Sequence, residues 1–189
     1  MQRLLLVRHA ATPATRKASF PADELLDPAG MEQARSLASS MPKVIDRALS
    51  SGSARTRQTA SVLGLDPEIR PDLAECDFGS WSGRTMQEVA EGDAEAFATW
   101  CKDPQSAPHG GECLSDLFAR MRTFLQNSSA LDGTTVAVTS GGPIKACVAI
   151  ALDAPIEAFW RIEAAPASIT ELHAIDGDWR CTRLNWSAA

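Results

Sequence analysis

The sequence is poor in the residues from which metal and disulfide sites are built. It has three histidines, at positions 9, 109 and 173, with no ligand spacing among them, so a bound metal is not expected. Its five cysteines (76, 101, 113, 147, 181) include no CxxC pair. Their scatter and odd number argue for reduced, mostly buried thiols instead of a disulfide frame. No apolar run approaches a membrane span, and the four apolar residues between Arg3 and Arg8 are too few for a secretory h-region. Cationic side chains are also in deficit. Eighteen Lys and Arg against 24 Asp and Glu leave a net charge of −6, which disfavours nucleic acid and anionic membrane surfaces as partners. Repeats, linkers and low-complexity tracts are absent, so residues 1–189 read as one domain. These absences predict a cytoplasmic protein without metal or organic cofactor, acting on a small molecule, with a homodimer compatible.

What the sequence does contain is an alternation of strand-like and helix-like stretches, which predicts an α/β fold. Residues 4–7 read as a buried strand, followed by a polar, proline-punctuated loop to residue 26. Asp27 has the character of an N-cap and Pro28 of a first helical residue. Met31, Ala34, Leu37 and Ala38 then fall on one helix face. A second strand is predicted over 44–50, a helix over 53–63, an extended piece over 68–70 and two short helices over 85–102. Leu114, Leu117, Phe118, Met121, Phe124 and Leu125 follow the spacing of an amphipathic helix. A strand over 134–139 runs into Ser140-Gly141-Gly142-Pro143 and another helix, and 168–175 with 179–185 predict an antiparallel hairpin around Asp176-Gly177.

Polar groups of unusual chemistry collect at three of the predicted strand ends. Arg8, His9 and Thr12 follow the first strand; Ser50, Ser51 and Arg55 follow the second; Thr139, Ser140, Gly141 and Gly142 follow a third. The C-terminal ends of parallel strands share one edge of a sheet, where open α/β folds bind ligands. A guanidinium fork beside an imidazole suits a phosphate ester, and a Gly-Gly turn at a helix start presents free N–H donors to an anion. Glu75, close to apolar Phe78 and Trp81, is placed to protonate a leaving alkoxide. Each feature has a plainer reading: a solvated loop for Arg8-His9, a surface position for Arg55 or Glu75, a simple chain reversal for Gly141-Gly142, and core packing for the aromatics.

Taken in order, five motifs resemble those of the histidine phosphatase (phosphoglycerate mutase-like) superfamily. They are Leu6-Val7-Arg8-His9-Ala10-Ala11-Thr12, the stretch from Ser50 through Arg55 to Ala60, Glu75 with Phe78-Gly79-Ser80-Trp81-Ser82-Gly83, Gly110-Gly111-Glu112, and Gly141-Gly142-Pro143-Ile144-Lys145. The resemblance implies a three-layer α/β/α sandwich with a mostly parallel central sheet, and covalent catalysis. His9 would be the nucleophile, Arg8 and Arg55 the clamp on the phosphoryl oxygens, and Glu75 the acid and base. Thr12, Thr15, Ser140 and Gly141 would complete the phosphate site. Arg16, Lys17, Trp81 and His109 would be candidates for substrate contact. The compact Gly-Gly-Glu112 helix start and the ending Pro166-Ala167-Ser168-Ile169-Thr170 are most similar to α-ribazole phosphatase-like proteins of cobalamin assembly. A chain this short disfavours phosphoglycerate mutase activity.

The sequence departs from the family pattern where a second histidine normally precedes the Gly-Gly turn. Ser140 stands there. Loss of a charged donor to a developing anion costs about 10²–10³ in rate. Ala10 replaces the usual glycine after the nucleophile, and Thr15 a frequent asparagine. Three readings follow: a working phosphatase in which Ser140 suffices or His109 substitutes; a catalytically weak or inactive phosphate-binding protein; or a serine introduced to trap a complex.

Overall fold

Four consecutive buried side chains, Leu4 to Val7, set the architecture. They lie in strand β1 (Gln2–Arg8) of a computed structural model that describes residues 2–187. Successive strand side chains point to opposite faces, and both faces of β1 are covered. Leu4 and Leu6 enter one core with Leu117, Met121 and Phe124 of the helix over 114–129 and with Ile144 and Val148 of the helix over 141–151. Leu5 and Val7 enter another with Ala34 and Leu37 of the helix over 28–37 and Ala60 of the helix over 54–62. The result is a three-layer α/β/α sandwich.

The elements run β1, α1 (Pro13–Arg16), α2 (Pro28–Leu37), β2 (Arg47–Ser50), α3 (Ala54–Val62), β3 (Glu68–Ile69), α4 (Met86–Gly92), α5 (Ala94–Lys102), α6 (Leu114–Ser129), β4 (Gly133–Thr139), α7 (Gly141–Ala151), β5 (Ile169–Ile175) and β6 (Asp178–Trp186). The six-stranded sheet has the order β3-β2-β4-β1-β5-β6. β3, β2, β4 and β1 are mutually parallel, while β5 pairs antiparallel with β1 and β6 antiparallel with β5. The register Arg8↔Thr139 and Ser50↔Val138 brings the C-terminal ends of β1, β4 and β2 to one edge. The hairpin turn at Asp176-Gly177 has positive φ at both residues (55° and 89°), the geometry that suits the twist of paired strands.

Several boundaries differ from the sequence reading. β2 begins at Arg47, not at 44, because the Asp46 carboxylate takes the Thr134 N–H (2.7 Å) and Val44 is left exposed. The loop after β1 contains a short helix, closed by a capping box in which Thr12 and Thr15 exchange hydrogen bonds. Ala38 lies beyond the end of α2 and is exposed, so it is not part of that helix's apolar face. A 3₁₀ segment at Ile156–Arg161, not predicted, follows α7. No helix among the described residues is long and apolar enough to cross a membrane.

A third apolar cluster lies outside the sandwich. Phe20, Trp81, Val89 and Trp100 pack together with Phe78 and Phe97, mostly from α4, α5 and the loops before them. Its rings meet edge-on or tilted at centroid separations such as 5.3 Å for Phe20–Trp81 and 5.6 Å for Trp81–Trp100, the arrangement favoured by ring quadrupoles.

Candidate active site

β1 delivers Arg8 and His9 to the sheet edge, and its neighbours hold them there. The Arg8 N–H donates to Ser168 (3.0 Å) and the His9 N–H to Thr139 (2.9 Å). The His9 imidazole is 3% exposed, and its Nδ1 lies 2.8 Å from the carbonyl of Ala10. A carbonyl only accepts, so Nδ1 carries the proton and Nε2 keeps its lone pair. Burial, reinforced by the positive charge of Arg55 and Arg8, pulls the His9 pKa down to about 3, against a small opposing effect of the Ala10 carbonyl. The ring is therefore neutral at ordinary pH, with the Nε2 lone pair available. Beside it, Arg8 Nη1 donates to the Ala164 carbonyl, while its buried Nε has no partner.

Glu75 is held from two sides. Its Oε1 accepts from the Cys76 N–H (2.9 Å) and its Oε2 from the Gly142 N–H (3.2 Å) at the start of α7. A Cβ at position 142 would overlap Oε1, so glycine is what permits this approach. The backbone leading to Glu75 is fastened as well. Thr139 Oγ1 donates to the Leu73 carbonyl (2.6 Å), and Arg120 reaches the Asp72 carbonyl (2.9 Å) while gripping Glu112 with Nε and Nη2 (2.7 and 2.8 Å). The glutamate of Gly110-Gly111-Glu112 thus anchors the arginine that steadies the acid-bearing segment.

Arg55, at the start of α3, is 4% exposed. Its Nη1 donates to the Ala22 carbonyl (2.6 Å) and stands 3.9 Å from the Glu24 carboxylate, and its Nε is unpaired. Thr12 is fully buried and donates to Glu24 (3.1 Å). Ser140 caps α7 without a side-chain cap bond; its hydroxyl is buried and has no partner. Unpaired donors of Arg8, Arg55 and Ser140 therefore belong to residues at the three strand ends, as an anion site requires.

A cavity of about 180 Å³ opens at this edge, lined by Arg8, His9, Thr15, Glu75, Gly141 and Gly142 on its polar side. An adjoining pocket shares Glu75, Cys76 and Phe78 with it and reaches Arg55. The other walls are largely apolar, with Phe20, Phe78, Trp100, Phe159 and Trp160, and they include Lys145 and Glu24. Four of the residues proposed for substrate contact lie elsewhere. Arg16 is exposed and paired with Asp27, and Lys17 is exposed. Trp81 is buried within the aromatic cluster. His109 packs against Trp81 (4.9 Å between centroids), with its Nδ1 accepting from the Gly111 N–H (3.1 Å). It therefore does not stand in for a histidine at 140. His173 pairs opposite Arg3 and bonds Glu171, at the far end of β1.

Glu24, Phe20, Phe159 and Trp160 are not singled out by the sequence, and Lys145 stands there only as the end of the Gly141-Gly142 motif, with no role assigned. For Lys145 a signal existed, since it lies four residues after Gly141 and so on the same face of α7. The others come from separate segments with no shared motif.

A sheet of this order, with an imidazole and a guanidinium at its C-terminal edge and helices on both faces, defines a phosphoglycerate mutase-like α/β protein. Residues 4–187 match the histidine phosphatase superfamily (branch 1), and the chain belongs to that family. It is 34% identical over 184 residues to a bifunctional protein of Mycobacterium tuberculosis, covering 91% of this chain but 50% of the relative. The chain thus spans about half the length of that relative. It is 30% identical over 185 residues to phosphoserine phosphatase 1 of Hydrogenobacter thermophilus, covering 92% of this chain and 87% of the other. Among solved structures, the α-ribazole phosphatase of Shigella flexneri superposes with a TM-score of 0.86 at 26% identity, covering 97% and 96% of the two chains.

Proposed function

We propose that this chain hydrolyses small phosphomonoesters through a phosphohistidine formed on His9. The observation that carries this reading is the neutral, oriented imidazole: Nδ1–H is tied to Ala10 and Nε2 is free, beside Arg8 in a cavity that also holds Glu75. In the first step Nε2 attacks phosphorus and the bond to the leaving oxygen breaks, with Glu75 giving that oxygen its proton. In the second, water attacks phosphorus, the P–N bond breaks, and the Glu75 carboxylate accepts the water's proton. Arg8 and Arg55 hold the charge on the phosphoryl oxygens throughout, assisted by the N-terminal amides of α7. Thr15 lines the cavity within reach of the same group, while Thr12 acts through Glu24 and the α1 cap. The scheme uses the chain's own side chains and backbone amides together with water, and the free cysteines fit a reducing, cytoplasmic setting.

A weaker enzyme is the second reading, and Ser140 favours it, because a neutral hydroxyl replaces a cation next to the nucleophile. Similarity to an α-ribazole phosphatase, together with the Phe78 and Trp100 wall, supports a substrate with a ring-bearing leaving group, such as α-ribazole phosphate. Phosphate release from a panel of phosphomonoesters, with His9→Ala as control and acid-labile phosphoprotein trapped in a single turnover, tests the proposal. His9-dependent release with a trapped phosphoenzyme is expected. Release that survives His9→Ala, or none on any ester, sinks it.

A further inference from the structure

The cavity contains a cation that the reaction above does not use. Lys145 lies on α7, one turn beyond the Gly141-Gly142 start, and its half-buried side chain lines the cavity together with the apolar wall of Phe159, Trp160 and Trp100. Its Nζ stands 5.1 Å from the Phe159 ring centroid. The rings of that wall pack on one another: Trp100 meets Trp160 edge-on at 4.9 Å, and Phe159 meets Trp160 edge-on at 5.1 Å.

Among the described residues Lys145 has neither an ion pair nor a hydrogen bond. The charges that act on it are those of Arg8, Glu75 and Glu163. Arg8 repels it. Glu75 accepts one amide N–H on each oxygen, from Cys76 and Gly142, and makes no hydrogen bond to Lys145, and Glu163 is exposed to solvent. Burial outweighs the two carboxylates and lowers the ammonium's pKa. A charge left partly desolvated and unpaired costs free energy unless a partner arrives. Arg8 and Arg55 are the pair assigned to the transferred phosphoryl group, so the partner of Lys145 belongs to another part of the substrate.

We propose that Lys145 is a specificity-determining residue that binds a second anionic group, of carboxylate size, on the leaving-group portion of the substrate. One ammonium matches one charge, and the adjacent rings accept the carbon skeleton between the two anions. This proposal rests on the phosphatase reading for the placement of the phosphoryl group. It also adds a requirement that α-ribazole phosphate does not meet, an anionic group on the leaving-group portion, and so points toward phosphomonoesters of acids.

Binding of two stable probes, benzylphosphonate and 4-carboxybenzylphosphonate, measured calorimetrically on the wild type, Lys145→Met and Lys145→Arg, tests the assignment without requiring turnover. The wild type is expected to favour the carboxylated probe by about tenfold, the scale of one charge-assisted hydrogen bond. Lys145→Met, similar in length and uncharged, is expected to abolish that preference, and Lys145→Arg to retain most of it. A preference that survives Lys145→Met, or the absence of any in the wild type, overturns the proposal. So does an equal loss for both probes, which would place Lys145 on the phosphonate. Failure of the phosphatase reading shows separately, as absence of His9-dependent phosphate release.

Discussion

The backbone N–H of Gly142 donates to Glu75 Oε2 over 3.2 Å, and a methyl group at position 142 would occupy the space of the other carboxylate oxygen. The same two residues thus join the helix start that is to bind phosphate and the carboxylate that is to move its protons. Gly142→Ala is expected to push the flexible end of Glu75 aside without disturbing the sheet. The expected result is a fall in kcat of about 10²-fold, the scale of a misplaced proton-transfer group, with a Tm within a few degrees of wild type. Steady-state kinetics and a thermal melt check both, and unchanged kcat would detach Glu75 from the proton transfer.

Ser140 is the position where activity is expected to be recoverable. Its hydroxyl has no protein partner, so Ser140→Ala is expected to leave folding stability within about 1 kcal/mol of wild type. Ser140→His is expected to raise kcat by about tenfold or more by adding a charged donor beside the nucleophile. A kcat at or below wild type would mean that the pocket is built around serine.

Arg55 is expected to be intolerant of lysine. Its guanidinium is buried between the Ala22 carbonyl and Glu24, and a flexible ammonium cannot reproduce a planar fork. Arg55→Lys and Arg55→Ala should both lower kcat/KM by about 10²–10³. Retention of activity in the lysine variant would show that charge alone suffices.

The neutral His9 links stability to pH. Its pKa in the fold is about 3, against an ordinary value of 6.5, so the unfolded chain binds the proton first. Its contribution to stability is complete above pH 6.5 and is lost as pH falls toward 3, by up to about 1.4 kcal/mol per pH unit. Urea denaturation of wild type and His9→Ala between pH 4 and 7 should show a shallower acid slope in the variant. Parallel slopes would mean that His9 is protonated in the folded state.

Much of this site is written into short stretches of sequence. Arg8 and His9 are adjacent at the end of an apolar run, and Gly141-Gly142 opens a helix after another, so local pattern and strand polarity suffice to bring them to one edge. The aromatic residues show where that logic stops. Phe78 and Trp81 are three residues apart in the same loop, yet Phe78 lines the cavity and Trp81 is buried behind it. The 3₁₀ turn at Gly79–Trp81 is too short for periodicity to select a face, so nothing local decides which ring lines the cavity.

The sequence by itself determined the α/β class, the order of the strands and longer helices, the strand-end residues and the absence of a histidine at 140, because hydrophobic period and covalent adjacency fix those locally. Only the tertiary structure decided that His109 packs among aromatic rings, that Arg16 is paired with Asp27, and that Lys145, Glu24 and Trp160 share the cavity with His9. Those outcomes depend on contacts between segments far apart in the chain, where packing and desolvation, not spacing, choose each side chain's neighbours.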